Sequence, residues 1–379
     1  LAQTSRKSLL VSSGEVSGDQ YAGELVRQLR ARGEEVAVFG LGGDRLAAEG
    51  AHLVAHVRDL GVVGLLEVVR HIHRLRAVFR SVLAEVDRRH PSLAVLLDYP
   101  DFNLRLAREL KRRGVPVVYY VSPQVWAWRR GRVTTIRQTV AHMIVIFPFE
   151  EALYRQAGVP VTFAGHPLVD LVRVPQDRDG FLAAQGLDPA RPVLAVLPGS
   201  RRQEVVHNLG PLARALRLLA AQRRDLQFVI AAAPGLDASI FDAALSGLHA
   251  VRLSGRAHEI MASATAGLVA SGTATVEAAL LDLPMVVVYR LSPLTYLLGR
   301  PLVRVPHFAM ANLIAGREVV RELIQRKFRA DAVAEEALAL IDDPQRRAEV
   351  RAGLAEVRRR LGPPGASARA AAVVAQYLK

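Results

Sequence analysis

Four short loops carry the residue types that do chemistry. Two are acidic: Ser13-Gly14-Glu15-Val16-Ser17-Gly18-Asp19 and Leu96-Leu97-Asp98-Tyr99-Pro100-Asp101-Phe102-Asn103. Carboxylates suit sugar hydroxyls, whereas two acids in one turn would repel a pyrophosphate. The first loop also misses the G-x-G-x-x-G spacing, so a nicotinamide dinucleotide is disfavoured. The other two loops are small-residue turns, Leu197-Pro198-Gly199-Ser200-Arg201 and Ser271-Gly272-Thr273-Ala274-Thr275, each following an apolar run and opening a helix. Gly199 permits close backbone approach, Ser200 is placed to cap the helix, and free N–H groups with the helix dipole favour an anion. Arg201 adds a guanidinium fork for phosphate oxygens. The pair of turns can hold a nucleotide diphosphate through Gly199, Ser200 and Arg201 on one side and Ser271, Gly272, Thr273 and Thr275 on the other. Glu277, in the first turn of the second helix, suits both hydroxyls of a ribose; the alternative is an acid that complements the helix dipole.

Other polar and aromatic positions divide between chemistry and scaffolding. Asp101 and Asn103 read best as caps of the helix that follows them, while Asp98, at the end of a buried strand, has no such role and is a functional candidate. In the first loop Ser17 or Asp19 can equally cap a helix. Both tryptophans of the chain, Trp126 and Trp128, lie in a strand-end loop beside Arg129, Arg130 and Arg132. They suit a sugar ring, a base or a lipid head group, or they plug an interface. His166, between Gly165 and Pro167, is either a structural histidine or a ligand-facing one. His71 and His73 stand two apart, wrong for one helix face, so no metal site and no cofactor is expected.

These residues need a scaffold. A chain of 379 residues, 51% apolar, is long enough for two α/β domains. Runs of strand length at Leu9–Ser12, Val36–Phe39, Leu93–Leu97, Val115–Tyr120 and Met143–Phe147 alternate with helical patterns at Asp19–Arg32 and Asn103–Arg113, which Gly33 and Gly114 stop. Val172–Pro192 is polar and proline-containing and reads as a linker. The alternation restarts with strands at Val193–Leu197, Leu226–Ala231, Gly267–Ala270 and Met285–Tyr289, and ends in helices, the last over 366–379. The expectation is an α/β protein with two Rossmann-like doubly wound domains, 1–170 and 171–365, facing a cleft at the carboxyl ends of their strands.

Charge and composition narrow the partners. With 50 Lys+Arg against 36 Asp+Glu the net charge is +14, which favours a polyanionic partner. The absence of cysteine excludes disulfides, thiolate metal sites and a cysteine nucleophile, and fits a reducing compartment. No export signal and no membrane span are legible, so the cytoplasm is expected and any membrane contact is peripheral. Two basic-apolar segments, Val62–Leu83 and Leu291–Val305, either lie on an anionic bilayer or face a core.

The motifs Gly14-Glu15-Val16-Ser17-Gly18-Asp19, Asp98-Tyr99-Pro100-Asp101-Phe102-Asn103, Val121-Ser122-Pro123-Gln124-Val125-Trp126-Ala127-Trp128, Gly165-His166-Pro167, Leu197-Pro198-Gly199-Ser200-Arg201 and Ser271-Gly272-Thr273-Ala274-Thr275 occur in the order seen in lipid-A-disaccharide synthases. Phe147-Pro148-Phe149-Glu150 and Ser292-Pro293-Leu294-Thr295-Tyr296 add to the match. The chain resembles that family from about Leu9 to its last helix. The resemblance implies the GT-B architecture, with UDP on the carboxyl domain, the acceptor on the amino domain and the last helix packed back on the latter. It also implies inverting transfer of 2,3-diacylglucosamine from UDP to 2,3-diacylglucosamine 1-phosphate, at the inner face of an anionic membrane and without nucleic acid. Asp98 is then the preferred base, with Glu15 and Asp19 as alternatives; Arg201 stabilises the leaving diphosphate; Asn312, Trp126 and His166 join the substrate-binding set. Val16, Ala311 and Arg321 depart from the usual pattern, which bears on acyl fit rather than reaction class. Rival readings are another UDP-N-acetylglucosamine enzyme of the same fold, such as the peptidoglycan glycosyltransferase or the 2-epimerase, and a non-catalytic protein that binds anionic lipid.

Overall fold

The computed structural model describes residues 7–60, 65–126, 131–173, 177–292, 296 and 306–378, with the backbone alone for 59–60 and 65–72. The chain divides into two compact units, residues 1–170 with 361–379, and residues 171–360.

The first unit is built on a seven-stranded parallel sheet. Its strands are β1 (Lys7–Ser13), β2 (Val36–Gly42), β3 (His52–His56), β4 (Leu93–Leu97), β5 (Val117–Tyr120), β6 (His142–Val145) and β7 (Val161–Phe163), in the order β3-β2-β1-β4-β5-β6-β7. The central strands read as unbroken apolar runs because helices cover both faces of a parallel sheet. All of Leu93–Leu97 is buried, for example. The helix Val16–Ala31 buries Tyr21, Ala22, Leu25, Val26 and Leu29 on one stripe, and Pro100–Arg112 buries Phe102, Leu104, Leu106, Ala107 and Leu110. The strand order reverses between β1 and β4, which run parallel with Ser13 beside Leu97. The two acidic loops therefore leave adjacent strands at the topological switch point, where α/β sheets bind ligands.

The second unit repeats the plan with six strands, β8 (Val193–Leu197), β9 (Gln227–Ala232), β10 (Ala250–Ser254), β11 (Ala266–Ala270), β12 (Met285–Tyr289) and β13 (Arg321–Ile324), ordered β10-β9-β8-β11-β12-β13. Its switch point lies between β8 and β11, where Leu197 pairs with Val269. The turns beginning at Pro198 and Ser271 follow those two strands.

Four strands escape the apolar-run pattern: β3, β7, β10 and β13. They are the two edges of each sheet. An edge strand is wetted along one side, so sequences such as His52–His56 and Arg321–Ile324 carry polar residues where a central strand would be apolar. Helix starts also differ. The first helix begins at Val16 rather than Asp19, and the second at Pro100 rather than Asn103. The segment read as a linker contains the helix Arg178–Ala184, capped by Asp177 accepting from the Gly180 N–H at 2.7 Å.

The last helix, Ala366–Tyr377, packs on the first unit. Asp170 accepts from the backbone N–H groups of Gly365 (2.6 Å) and Ser367 (3.2 Å), Arg369 donates to the Ala164 carbonyl at 2.8 Å, and Tyr377 meets His142 at 3.1 Å. Of the two basic-apolar segments, Leu291–Val305 lies almost wholly outside the described residues, as do 62–64. Within the helix Leu65–Arg89, the described side chains Val82 and Val86 are buried, and Leu75, Val78, Phe79 and Leu83 pack on the core. That half of the segment faces inward. No helix among the described residues is long and apolar enough to cross a membrane.

Candidate functional site

In the first unit the acidic loops form a clamped, strained corner. Asp98 and Tyr99 both have left-handed backbones, φ +47° and +45°. This costs roughly 1–2 kcal/mol per residue for non-glycine side chains, so something must hold them. The Asp98 carbonyl accepts from Asn103 Nδ2 at 2.9 Å and from the Tyr119 hydroxyl at 2.5 Å. Asn103 Nδ2 also reaches the Leu97 carbonyl at 3.0 Å, and its Oδ1 accepts from Ser12 Oγ at 2.7 Å. Asn103 is thus a buried tie between β1 and β4, not a helix cap. Asp101 is not a cap either; it pairs with Arg132 at 2.5 Å. Tyr99 stacks on Phe102 and lies against Gly14, where a Cβ would fall inside the tyrosine ring. The Glu15 loop and the Asp98 loop are therefore in contact through glycine, and two donors fix the Asp98 carbonyl.

The three carboxylate candidates fare differently. Asp19 is buried and its oxygens accept from the N–H groups of Gly43 (2.5 Å), Leu46 (3.1 Å) and Arg45 (3.0 Å), so it caps the helix Asp44–Ala48. A carboxylate so engaged is ill placed to take a proton from a substrate. Glu15 is half-buried at the start of its helix and makes no side-chain cap. Asp98 is half-buried at the strand end.

Beyond β5 lies an aromatic array. Trp126 meets Phe149 edge-on at 5.3 Å, Phe149 stacks on Phe147 at 5.5 Å, and Phe147 meets His166 at 5.3 Å. His166 is buried, its N–H bonds the Leu361 carbonyl at 2.8 Å, and its Nδ1 accepts from the Leu168 N–H at 3.2 Å. Burial holds its pKa down to about 3, so the ring is neutral at physiological pH. Trp128, Arg129 and Arg130 lie outside the described residues.

Glu150, which ends the Phe147-Pro148-Phe149-Glu150 motif but was given no role, anchors this array. Its carboxyl accepts from Trp126 Nε1 and from the Phe147 N–H, each at 3.2 Å. Burial pushes its pKa up to about 8, against the lowering effect of those hydrogen bonds. The folded protein then keeps a proton that the unfolded chain loses near pH 4.5, so the associated stability is full below about pH 4.5 and lost as pH rises through about 8. Glu150→Gln is expected to flatten the decline of Tm between pH 5 and 8, readable by thermal melts. A variant that tracks the parent across that range would remove Glu150 from the pH dependence.

In the second unit, Gly199 has φ +131° and opens the Pro198 turn, and Arg201 is the N-cap of the helix Arg202–Gln222. Ser200 does not cap. Glu204, three residues into the helix from Arg201, turns back, and its Oε2 accepts from the N–H groups of Ser200 and Arg201 at 3.3 Å each. Arg201 Nη1 lies 3.3 Å from Oε1 of the same carboxylate. This is a capping box, in which an acidic oxygen already satisfies two N–H groups of the turn. Asn208 braces the turn by donating to the Pro198 carbonyl and accepting from the Arg290 N–H, both at 2.9 Å.

The other turn is braced from behind. Ser271 Oγ donates to the Phe308 carbonyl at 2.9 Å and Thr275 Oγ1 to the Gly272 carbonyl at 2.8 Å, so both hydroxyls shape the loop. Thr275 is fully buried; Gly272, at φ +146°, faces open space. Asn312 is buried and uses all its capacity internally. Its Nδ2 donates to Val320 O and Glu322 Oε1, and its Oδ1 accepts from the Val319 and Val320 N–H groups, at 2.8–3.0 Å. Glu277 is half-buried with Oε1 3.3 Å from Nε2 of His258. That hydrogen bond raises the histidine pKa above its ordinary value. Among the described residues no cluster of His, Cys, Asp and Glu is arranged to hold a metal ion.

A family model described as lipid-A-disaccharide synthetase matches residues 9–375. The chain belongs to the lipid-A-disaccharide synthase family. A family member from Koribacter versatilis (strain Ellin345) is 47% identical over 357 residues, covering 93% of each chain. Among solved structures, the UDP-GlcNAc 2-epimerase from Neisseria meningitidis bound to UDP-GlcNAc superposes with TM-score 0.69 at 12% identity, covering 97% of this chain and 100% of its own. The calicheamicin glycosyltransferase CalG4 superposes at 0.60 with 18% identity, covering 98% of both. These distant likenesses speak for the fold alone, two parallel-sheet α/β units of the GT-B type that the family uses.

Proposed function

We propose that this chain is the glycosyltransferase that joins two acylated glucosamines, passing 2,3-diacylglucosamine from UDP to the 6-hydroxyl of 2,3-diacylglucosamine 1-phosphate. The observation that carries the reading is the division of chemistry between two switch points, a carboxylate corner in one sheet and an arginine-bearing anion turn in the other. Membership of the family supports it.

On this reading UDP binds the second unit. Its diphosphate takes the N–H groups of Gly199, Ser200 and Arg201 with the Arg201 guanidinium, sharing or displacing the Glu204 carboxylate. The Ser271-Gly272-Thr273 turn supplies the opposite wall and Glu277 accepts from the ribose. Asp98 removes the proton of the acceptor hydroxyl as the new C–O bond forms at the anomeric carbon. The bond to UDP breaks on the opposite face, giving inversion, and the diphosphate leaves with the electron pair. No metal ion is required for the departing charge. Acylated substrates place the work at an anionic bilayer surface on the cytoplasmic side, which the net charge of +14 suits.

The test is direct. Incubation with UDP-2,3-diacylglucosamine and 2,3-diacylglucosamine 1-phosphate is expected to release UDP and yield a β-1′,6-linked disaccharide 1-phosphate by mass analysis. An epimerised sugar, a glycan on a polyprenyl carrier, or lipid binding with no turnover would assign the chain to one of the rival classes instead.

A further inference from the structure

His258 comes to Glu277 from a distant part of the second sheet. It is the second residue of the helix Ala257–Ser263, which follows the edge strand β10, whereas Glu277 lies in the helix Ala274–Leu280 that follows β11. β9 and β8 separate those two strands in the sheet. The meeting at 3.3 Å leaves the side chains 30% and 23% exposed, partly desolvated yet reachable by a ligand. A glutamate at a turn of this kind has three free torsions, and binding a diol through it costs their entropy unless another group has already fixed them.

We propose that His258 is a positioning residue for the donor nucleotide: by donating Nε2–H to Oε1 of Glu277, it fixes the carboxylate and leaves the second oxygen to accept from a ribose hydroxyl. The local charges favour this pairing. The other acid beside His258 is Glu259, on the same helix, and Arg256 Nε occupies it at 2.5 Å. The proximity of Glu277 also keeps the imidazole supplied with a proton, so the donor role persists to higher pH than for an isolated histidine. The inference rests on Glu277 as the ribose acceptor, and the experiment separates the two.

Binding of UDP and of 2′-deoxy-UDP is measured by calorimetry on the full chain and on His258→Ala, His258→Gln and Glu277→Gln, with donor kinetics and thermal melts alongside. The parent is expected to prefer UDP by roughly 10-fold, the scale of one hydrogen bond to a charged group. His258→Ala should lose most of that preference and raise the donor KM by about 5- to 10-fold, with the loss falling on KM rather than kcat. His258→Gln, whose amide can still donate, should recover most of it. Should the alanine variant fold poorly, His258→Leu fills the space without a donor and takes its place. If His258→Ala or His258→Leu keeps the parental preference while Glu277→Gln loses it, the positioning role is overturned and the ribose reading stands. If Glu277→Gln keeps the preference, both fall.

Discussion

Asp98→Asn is expected to lower kcat by roughly 10²- to 10⁴-fold, the worth of a positioned general base, with UDP affinity almost unchanged. The substitution keeps shape and removes the basic lone pair. The backbone at this position is left-handed, and Asn103 and Tyr119 hold it through the Asp98 carbonyl. The variant therefore keeps both of those carbonyl contacts, and asparagine tolerates a left-handed backbone as well as aspartate does. Single-turnover rates with both substrates, together with a melting curve, separate lost chemistry from lost folding. The neighbouring acids serve as controls with different signatures. Asp19→Asn replaces a carboxylate that accepts three backbone N–H groups, so its effect should appear as a lower Tm. Glu15→Gln removes a half-buried charge from the loop that touches Tyr99. Near-parental turnover in Asp98→Asn, with an inactive but folded Glu15→Gln, would move the base to Glu15.

Arg201→Ala is expected to raise the activation free energy by roughly 2 to 4 kcal/mol, because a guanidinium aimed at a departing diphosphate acts mainly in the transition state. Its side chain is about half exposed, and its ion pair with Glu204 three residues along the helix is of the kind worth little to stability. A fall in kcat with a nearly unchanged Tm is therefore the anticipated pattern. The alanine also frees Glu204 from its cationic neighbour while leaving the Ser200 and Arg201 N–H groups to hold it. The uncompensated carboxylate should then weaken binding of UDP as well as slow its release in the reaction. Unchanged turnover would take Arg201 out of the mechanism.

How much of this was legible beforehand follows from how far each feature reaches along the chain. Buried parallel strands announce themselves locally, because both faces are covered and every residue is apolar; edge strands such as His52–His56 and Arg321–Ile324 do not, because one side meets water. The four loops were visible as motifs, and doubly wound connectivity sends such loops to the carboxyl ends of the strands, so two α/β units with these loops at their strand ends followed from pattern alone, whereas the strand order that sets them at the switch points came only with the structure. The partners of individual side chains did not. Asp19 and Asp98 look alike in sequence, yet one meets backbone N–H groups 24 to 27 residues away and the other lies half-buried on a clamped, left-handed turn. Asn103 and Asn312 have the composition of a helix cap and a ligand contact but serve as internal ties. His166 could have been either kind of histidine until burial among Phe147 and Tyr21 made it neutral. Glu150 and His258 lie in no acid–base motif; what distinguishes them is desolvation in one case and a carboxylate from another helix in the other. Desolvation and charge pairing depend on distances through space, and those exist only once the chain has packed.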